Sequence, residues 1–141
     1  MGFFDIFTYP LFLPSHLRET SSSLSMKDIS TKQDVEHLVD TFYGRVLKDE
    51  NLAPFFSNLN FEVHMPKMIH FWSFVLLDEP GYTTNVTDKH MHMPLSKEHF
   101  DRWVALFHST INELFAGEKA EMAKQRATLI AWTIQNKTGV K

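Results

Sequence analysis

The sequence predicts an all-α fold, and three features of it carry that prediction. After residue 30, apolar residues recur at three- and four-residue spacing through most of the chain. No sustained period-two run argues for a sheet, and Gly81, Gly117 and Gly139 fall where the periodic segments end. With 141 residues and 43% hydrophobic content, the chain suits one domain with a substantial core.

The first helix opens at Thr31-Lys32-Gln33-Asp34, which reads as a capping box. Val35, Leu38, Val39, Phe42, Tyr43 and Val46 form its apolar stripe, and it ends near Lys48. Gly44 sits mid-helix beside Tyr43, where the absent side chain weakens the helix but permits close approach of another group. Asp49 to Asn51 make a turn, and LAPFF (residues 52–56) follows as a short apolar piece. A second helix is expected from about Val63, with Pro66 tolerated in its first turn and Met68, Phe71, Trp72 and Val75 on its stripe. Asp78-Glu79-Pro80-Gly81 stops it.

Periodicity fades over residues 80–95, and a loop of that length in a compact domain is usually functional or disordered. Ser96 then caps a third helix with Phe100, Trp103, Val104, Phe107, Ile111, Leu114 and Phe115 on its core face and Gly117 as its stop. A fourth helix carries Ala120, Ala123, Ala127, Ile130, Ala131 and Ile134 on one side.

Residues 1–28 read as an N-terminal extension outside the core, residues 29–137 as the domain and residues 138–141 as a tail. The apolar stretch at residues 3–13 is interrupted by Asp5 and Pro10 and is too short to span a bilayer. It lacks the basic start and small-residue cleavage site of a secretory signal. A free tail with Met26 as the working start is the first reading of this segment, and a loose interfacial anchor is the other. The expected setting is a soluble cytoplasmic monomer without a transmembrane segment.

A net charge of -3 and a pI near 6.2 give no basic footprint for a phosphate backbone, so nucleic acid is not an expected partner. The absence of cysteine excludes disulfides, thiolate zinc sites, iron–sulfur clusters and covalent haem attachment through C-x-x-C-H. Any metal must be held by other side chains.

Thirteen phenylalanines and three tryptophans are more than four short helices need for a core, and a flat apolar ligand would use the surplus. Tyr43, His64 and Trp103 lie on the inner faces of the first, second and third helices, each bringing a hydrogen-bonding atom into an apolar setting. Each alone suits a bond to backbone, whereas together they suit one bound polar atom. If a haem lies between these faces, a histidine must reach its iron from the opposite side, and the stretch DKHMHMPLSKEHFDRW (residues 88–103) is rich in them. Zinc fits poorly: there is no H-E-x-x-H, and His90 and His92, two apart, share a face of a strand but not of a helix.

These residues resemble a known family. LVDTFYGRV (residues 38–46), LAPFF (residues 52–56), HMPKMIHFWSFVLL (residues 64–77), KHMHMPLSKEHFDRWVALF (residues 89–107) and QRATLIAW (residues 125–132) are similar to the truncated haemoglobins, specifically their third group. The resemblance implies a shortened globin, a two-over-two helical sandwich around a non-covalent haem b (iron protoporphyrin IX). It also implies that His90, thirteen residues before the tryptophan of HFDRW, is the iron ligand, with His92 and His99 as bystanders. Tyr43, His64 and Trp103 correspond to the distal, ligand-stabilising residues. Phe42, Phe56, Met68, Trp72 and Phe107 are the expected contacts of the cofactor. A branched aliphatic residue is commoner where Met68 stands, and the chain shares the group's lack of a Gly-Gly helix cap.

The function so implied is binding of dioxygen and other diatomic ligands, including nitric oxide and carbon monoxide, at a His-ligated iron with a polar distal pocket. The alternative is a haem enzyme for nitric oxide dioxygenation or peroxide activation, which would need a separate reductase because no flavin motif is present.

Overall fold

The computed structural model describes residues 26–82 and 94–138. Five helices follow in order: α1 (Lys32–Val46), α2 (Ala53–Phe56), α3 (Phe61–Leu77), α4 (Lys97–Leu114) and α5 (Glu118–Thr138). No strand occurs among the described residues. Residues 1–25, the segment 83–93 with His90 and His92, and residues 139–141 lie outside them.

Helix α1 begins as its sequence demands. The Thr31 hydroxyl accepts from Asp34 N, and the Asp34 carboxylate accepts from Thr31 N, so two otherwise unpaired donors of the first turn are satisfied. Val35, Leu38, Val39, Phe42 and Val46 are its buried stripe. Gly44 departs from expectation: it is exposed, and nothing lies within 4 Å of where its Cβ would stand, so among the described residues no group uses the space. LAPFF folds as the single turn α2, placing Phe56 in the core.

Helix α3 starts at Phe61 rather than near Val63, so Pro66 lies in the second turn and not the first. A proline there lacks the N–H that the Glu62 carbonyl would accept from. The helix ends at Asp78, whose left-handed backbone (φ 59°) lets its N–H turn back to the Ser73 carbonyl. Helix α4 carries a second capping box. Ser96 Oγ accepts from His99 N, and His99 Nδ1 in return accepts from Ser96 N at 3.0 Å. His99 thus has a structural role in addition to packing edge-on against Phe55 at 4.6 Å.

The start of α5 is capped from the far end of the chain. The Asp28 carboxylate accepts from Lys119 N and Ala120 N, both at 2.8 Å, while the Lys27 carbonyl accepts from Ala116 N at 3.0 Å. Lys27 and Asp28, assigned from sequence to the extension, make these contacts with the domain. Gly117 (φ 145°) is what allows them, because a Cβ there would come within 2.5 Å of the Asp28 carboxyl carbon.

Helix α1 packs on α3 and α4, α4 packs on α5, and α5 closes the set against α3. The shared core runs from Ile29 and Leu38 through Leu52, Leu76 and Ile111 to Ala120, Ala123 and Ala127. The small α5 residues admit the bulky side chains of its neighbours. Two charged contacts tie the outside together: Arg45 forks onto Glu113 at 2.7 and 3.1 Å, and Arg102 Nε meets Asp49 at 2.7 Å. No helix among the described residues is long and apolar enough to cross a membrane.

Candidate functional site

The inner faces of α1, α3 and α4 meet in one aromatic wall. Heptad-like spacing puts Trp103 and Phe107 one turn apart on α4, and their ring planes lie parallel with centroids 5.6 Å apart. Trp72 of α3 also stacks on Phe107, at 5.0 Å. Phe42 of α1 meets this stack edge-on, 4.9 Å from Phe107 and 5.5 Å from Trp103, the arrangement that ring quadrupoles favour. Phe42, Phe107, Trp72 and Phe56 are all buried, at 1%, 1%, 5% and 4% exposure.

Tyr43 stands beside this stack. Its ring packs on Phe42 at 4.8 Å and faces Phe56 at 6.0 Å and Phe61 at 6.1 Å. Although the residue is partly exposed, its hydroxyl is enclosed. Burial raises its pKa above the ordinary tyrosine value, outweighing the opposite effect of a hydrogen bond from Trp103. An indole nitrogen can only donate, so the Tyr43 oxygen is the acceptor. The phenol therefore keeps its own proton.

Of the residues singled out from sequence, the structure brings Phe42, Tyr43, Phe56, Trp72, Trp103 and Phe107 into this one group of touching rings. Met68 packs on the same core while remaining partly exposed, and His64 sits half-buried one turn before it on α3. His90, the expected iron ligand, lies outside the described residues, as does His92. Among the described residues no three His, Asp or Glu side chains converge to hold a metal ion. Phe61 is an addition: setting the start of α3 too late hides it from the periodicity, although its place two turns before Met68 would have revealed it. Tyr82 is another, packing on Phe71 at 5.2 Å and on His70 at 5.6 Å where the chain leaves α3. His70 Nε2 lies 3.1 Å from the Pro80 carbonyl and 3.4 Å from Glu79, which pins the same exit.

Comparison with known proteins agrees with this architecture. Residues 26–136 match the family model for bacterial-like globins. The chain is 31% identical to the group 3 truncated hemoglobin ctb of Campylobacter jejuni, over 74% of this chain and 88% of that one. The crystal structure of the group III truncated hemoglobin from Campylobacter jejuni superposes with a TM-score of 0.72 and 30% identity, covering 80% of this chain and 95% of that one.

A globin implies a haem cofactor, and the wall fits one. Tyr43, Met68, Phe71 and Trp103 are packed on the core yet partly exposed, offering the apolar faces that a flat macrocycle needs. The Tyr43 phenol, which retains its proton, and the half-buried His64 imidazole on α3 are the polar groups available to it. Fold, wall and sequence agreement together place the chain in the bacterial-like globin family, among the truncated haemoglobins of the third group.

Proposed function

We propose that this globin holds haem b non-covalently through His90 and binds dioxygen and other diatomic ligands beside a polar group made by Tyr43, Trp103 and His64. The haem supplies an iron with a position for a small ligand. The observation that carries the reading is the placement of Tyr43 and Trp103 against one ring of the aromatic wall, Phe42, at centroid distances of 4.8 and 5.5 Å. An indole N–H beside the phenol can only donate, which leaves the phenol O–H to donate onward. Donation to a ligand atom that gains negative charge on binding contributes about 1.5–3 kcal/mol, more than the same bond to a neutral acceptor. Phe42, Phe56, Trp72 and Phe107 back the polar group with apolar surface, which excludes water and strengthens that bond.

A phenol and an indole on the wall, with a half-buried imidazole on α3, are more polar groups than retention of an apolar gas requires. That favours a second reading, in which slow release serves nitric oxide oxidation or peroxide activation, with His64 as acid or base and a separate reductase as electron donor. Absorption spectra of the ferric, ferrous and ferrous-carbonyl forms, with haem counted per chain, test the primary proposal. One haem per chain with a histidine-ligated spectrum is expected; a colourless protein that takes up no added haem overturns it.

A further inference from the structure

On the outer face of α5, one turn apart, Leu129 and Trp132 are 54% and 61% exposed. With His108, Glu121, Lys124 and Thr128 they line an open groove of about 480 Å³ between α4 and α5. Apart from the exposed Gln125 amide, which also lines it, its polar side chains are already engaged. His108 Nε2 lies 3.0 Å from the Lys124 carbonyl and 2.9 Å from Thr128 Oγ1, and Lys124 Nζ bonds Asn112 and Glu121. Beyond Gln125 the groove therefore has little to give a polar ligand, and Leu129 and Trp132 are its main binding surface. Two large apolar side chains this exposed, one turn apart on one helix, offer surface that a further apolar segment would bury.

The chain itself provides an occupant of matching chemistry and reach. Lys27 and Asp28 are fixed at the head of α5, where the groove begins. Ahead of them the sequence runs FFDIFTYPLFL (residues 3–13), with four phenylalanines, and then a polar stretch, PSHLRETSSSLS (residues 14–25). A random chain of twelve residues, the length of that stretch, has a root-mean-square span of about 19 Å. The groove extends along α5 from Glu121 to Trp132, about 17 Å at the helical rise per residue. A tether whose reach matches the distance gives the highest effective concentration. The tether also carries Arg18, and Glu118 and Glu121 stand exposed where it must pass.

We propose that residues 3–13 lie along the α4/α5 groove and cover Leu129 and Trp132, forming an outer layer on the domain. The absence of cysteine makes the test direct. In the full chain, Thr8→Cys with Gln125→Cys places one thiol in the segment and one beside the groove. Thr8→Cys with Lys48→Cys is the control, since Lys48 is exposed just past the end of α1, which spans about 21 Å from Lys32 to Val46, and lies away from the Leu129–Trp132 groove. Under mild oxidation the groove pair should close an intramolecular disulfide about tenfold faster than the control. Adding Leu129→Asp and Trp132→Ser should bring it down to the control rate. Equal rates for the two pairs overturn the proposal. So does linkage between chains, which would assign the groove to a second copy, or loss of the advantage on adding phosphatidylcholine vesicles, which would assign the segment to a lipid surface. The measurement does not depend on haem, so its failure is distinct from failure of the functional reading.

Discussion

Tyr43 of α1 and Trp103 of α4 pack edge-on against the same Phe42 ring, at 4.8 and 5.5 Å, and the indole lies close enough to Tyr43 to act against the burial that raises its pKa. Two residues that look like parallel donors in the sequence are thus neighbours of one another. The indole can only donate, so an arrangement in series makes Tyr43 the group that donates onward.

Replacing Tyr43 by Phe should therefore speed dioxygen release by about ten- to a hundredfold, the rate equivalent of roughly 1.4–2.8 kcal/mol. Trp103→Phe should act in the same direction but less. The double mutant should release no faster than Tyr43→Phe alone, because the indole works through the hydroxyl. Stopped-flow dissociation measures all three. Should Tyr43→Phe stay within about twofold of wild type while His64→Leu changes release greatly, control lies with His64 and the serial arrangement is not functional.

His90→Ala should abolish stable haem uptake or make it dependent on added imidazole, and His92→Ala should leave the spectrum unchanged. His99→Ala separates cofactor from fold. His99 completes the α4 capping box with Ser96, so its loss should lower the melting temperature by a few degrees, about 1 kcal/mol, with the spectrum intact. A haem-free His92→Ala protein would show that the ligand assignment is wrong.

Much of this fold is legible in the sequence because its signals are local. Thr31 and Asp34 lie three residues apart, Ser96 stands at a cap position although its partner His99 goes unread, and the stripes of α1 and α4 repeat within a turn. Site residues are legible as members of a face, since periodicity tells which way a side chain points. It does not tell which partner that side chain meets, so the meeting of Tyr43 and Trp103 on the Phe42 ring could not be read, nor the Phe61 contact that depends on an early α3 start. The cap on α5 is hidden for a related reason. Its carboxylate comes from Asp28, which the tertiary fold alone brings to Lys119 and Ala120.

That cap makes acid sensitivity predictable. Burial pushes the Asp28 carboxyl upward in pKa, but the N–H groups of Lys119, Ala120 and Ile29, aided by the Lys119 charge, outweigh it and hold it below the usual aspartate range. A carboxylate depressed in the folded state contributes stability that is present above its unfolded pKa, near 4, and lost as pH falls through the folded value. Asp34, held down by Lys27, Ser30 and Thr31 against its own burial, behaves likewise, as does Asp49 beside Arg102. Asp28→Ala should cost about 1–2 kcal/mol at neutral pH, and Asp28→Asn less. In chemical denaturation the gap between wild type and Asp28→Ala should be level from pH 5 to 8 and shrink below about pH 4. A gap that persists undiminished at low pH would mean that packing, not the charged cap, is what Asp28 supplies.

Ser73 offers a gain instead of a loss. It is fully buried on α3 at 0% exposure, and its hydroxyl has no hydrogen-bond partner among the described residues. A buried donor left unpaired costs about 1–3 kcal/mol relative to one that is satisfied or solvated. Alanine removes the hydroxyl, keeps the Cβ and has the higher helix propensity, at the expense of a void smaller than a methyl group. Ser73→Ala should thus stabilise the protein by about 1 kcal/mol and raise its melting temperature by roughly 3–6 °C. The variant's haem spectrum should not move, since the polar atoms assigned to the ligand lie on Tyr43, Trp103 and His64. Destabilisation by Ser73→Ala, or a shifted spectrum, would show instead that the hydroxyl has a partner in the working protein, and would bring Ser73 into the cofactor site.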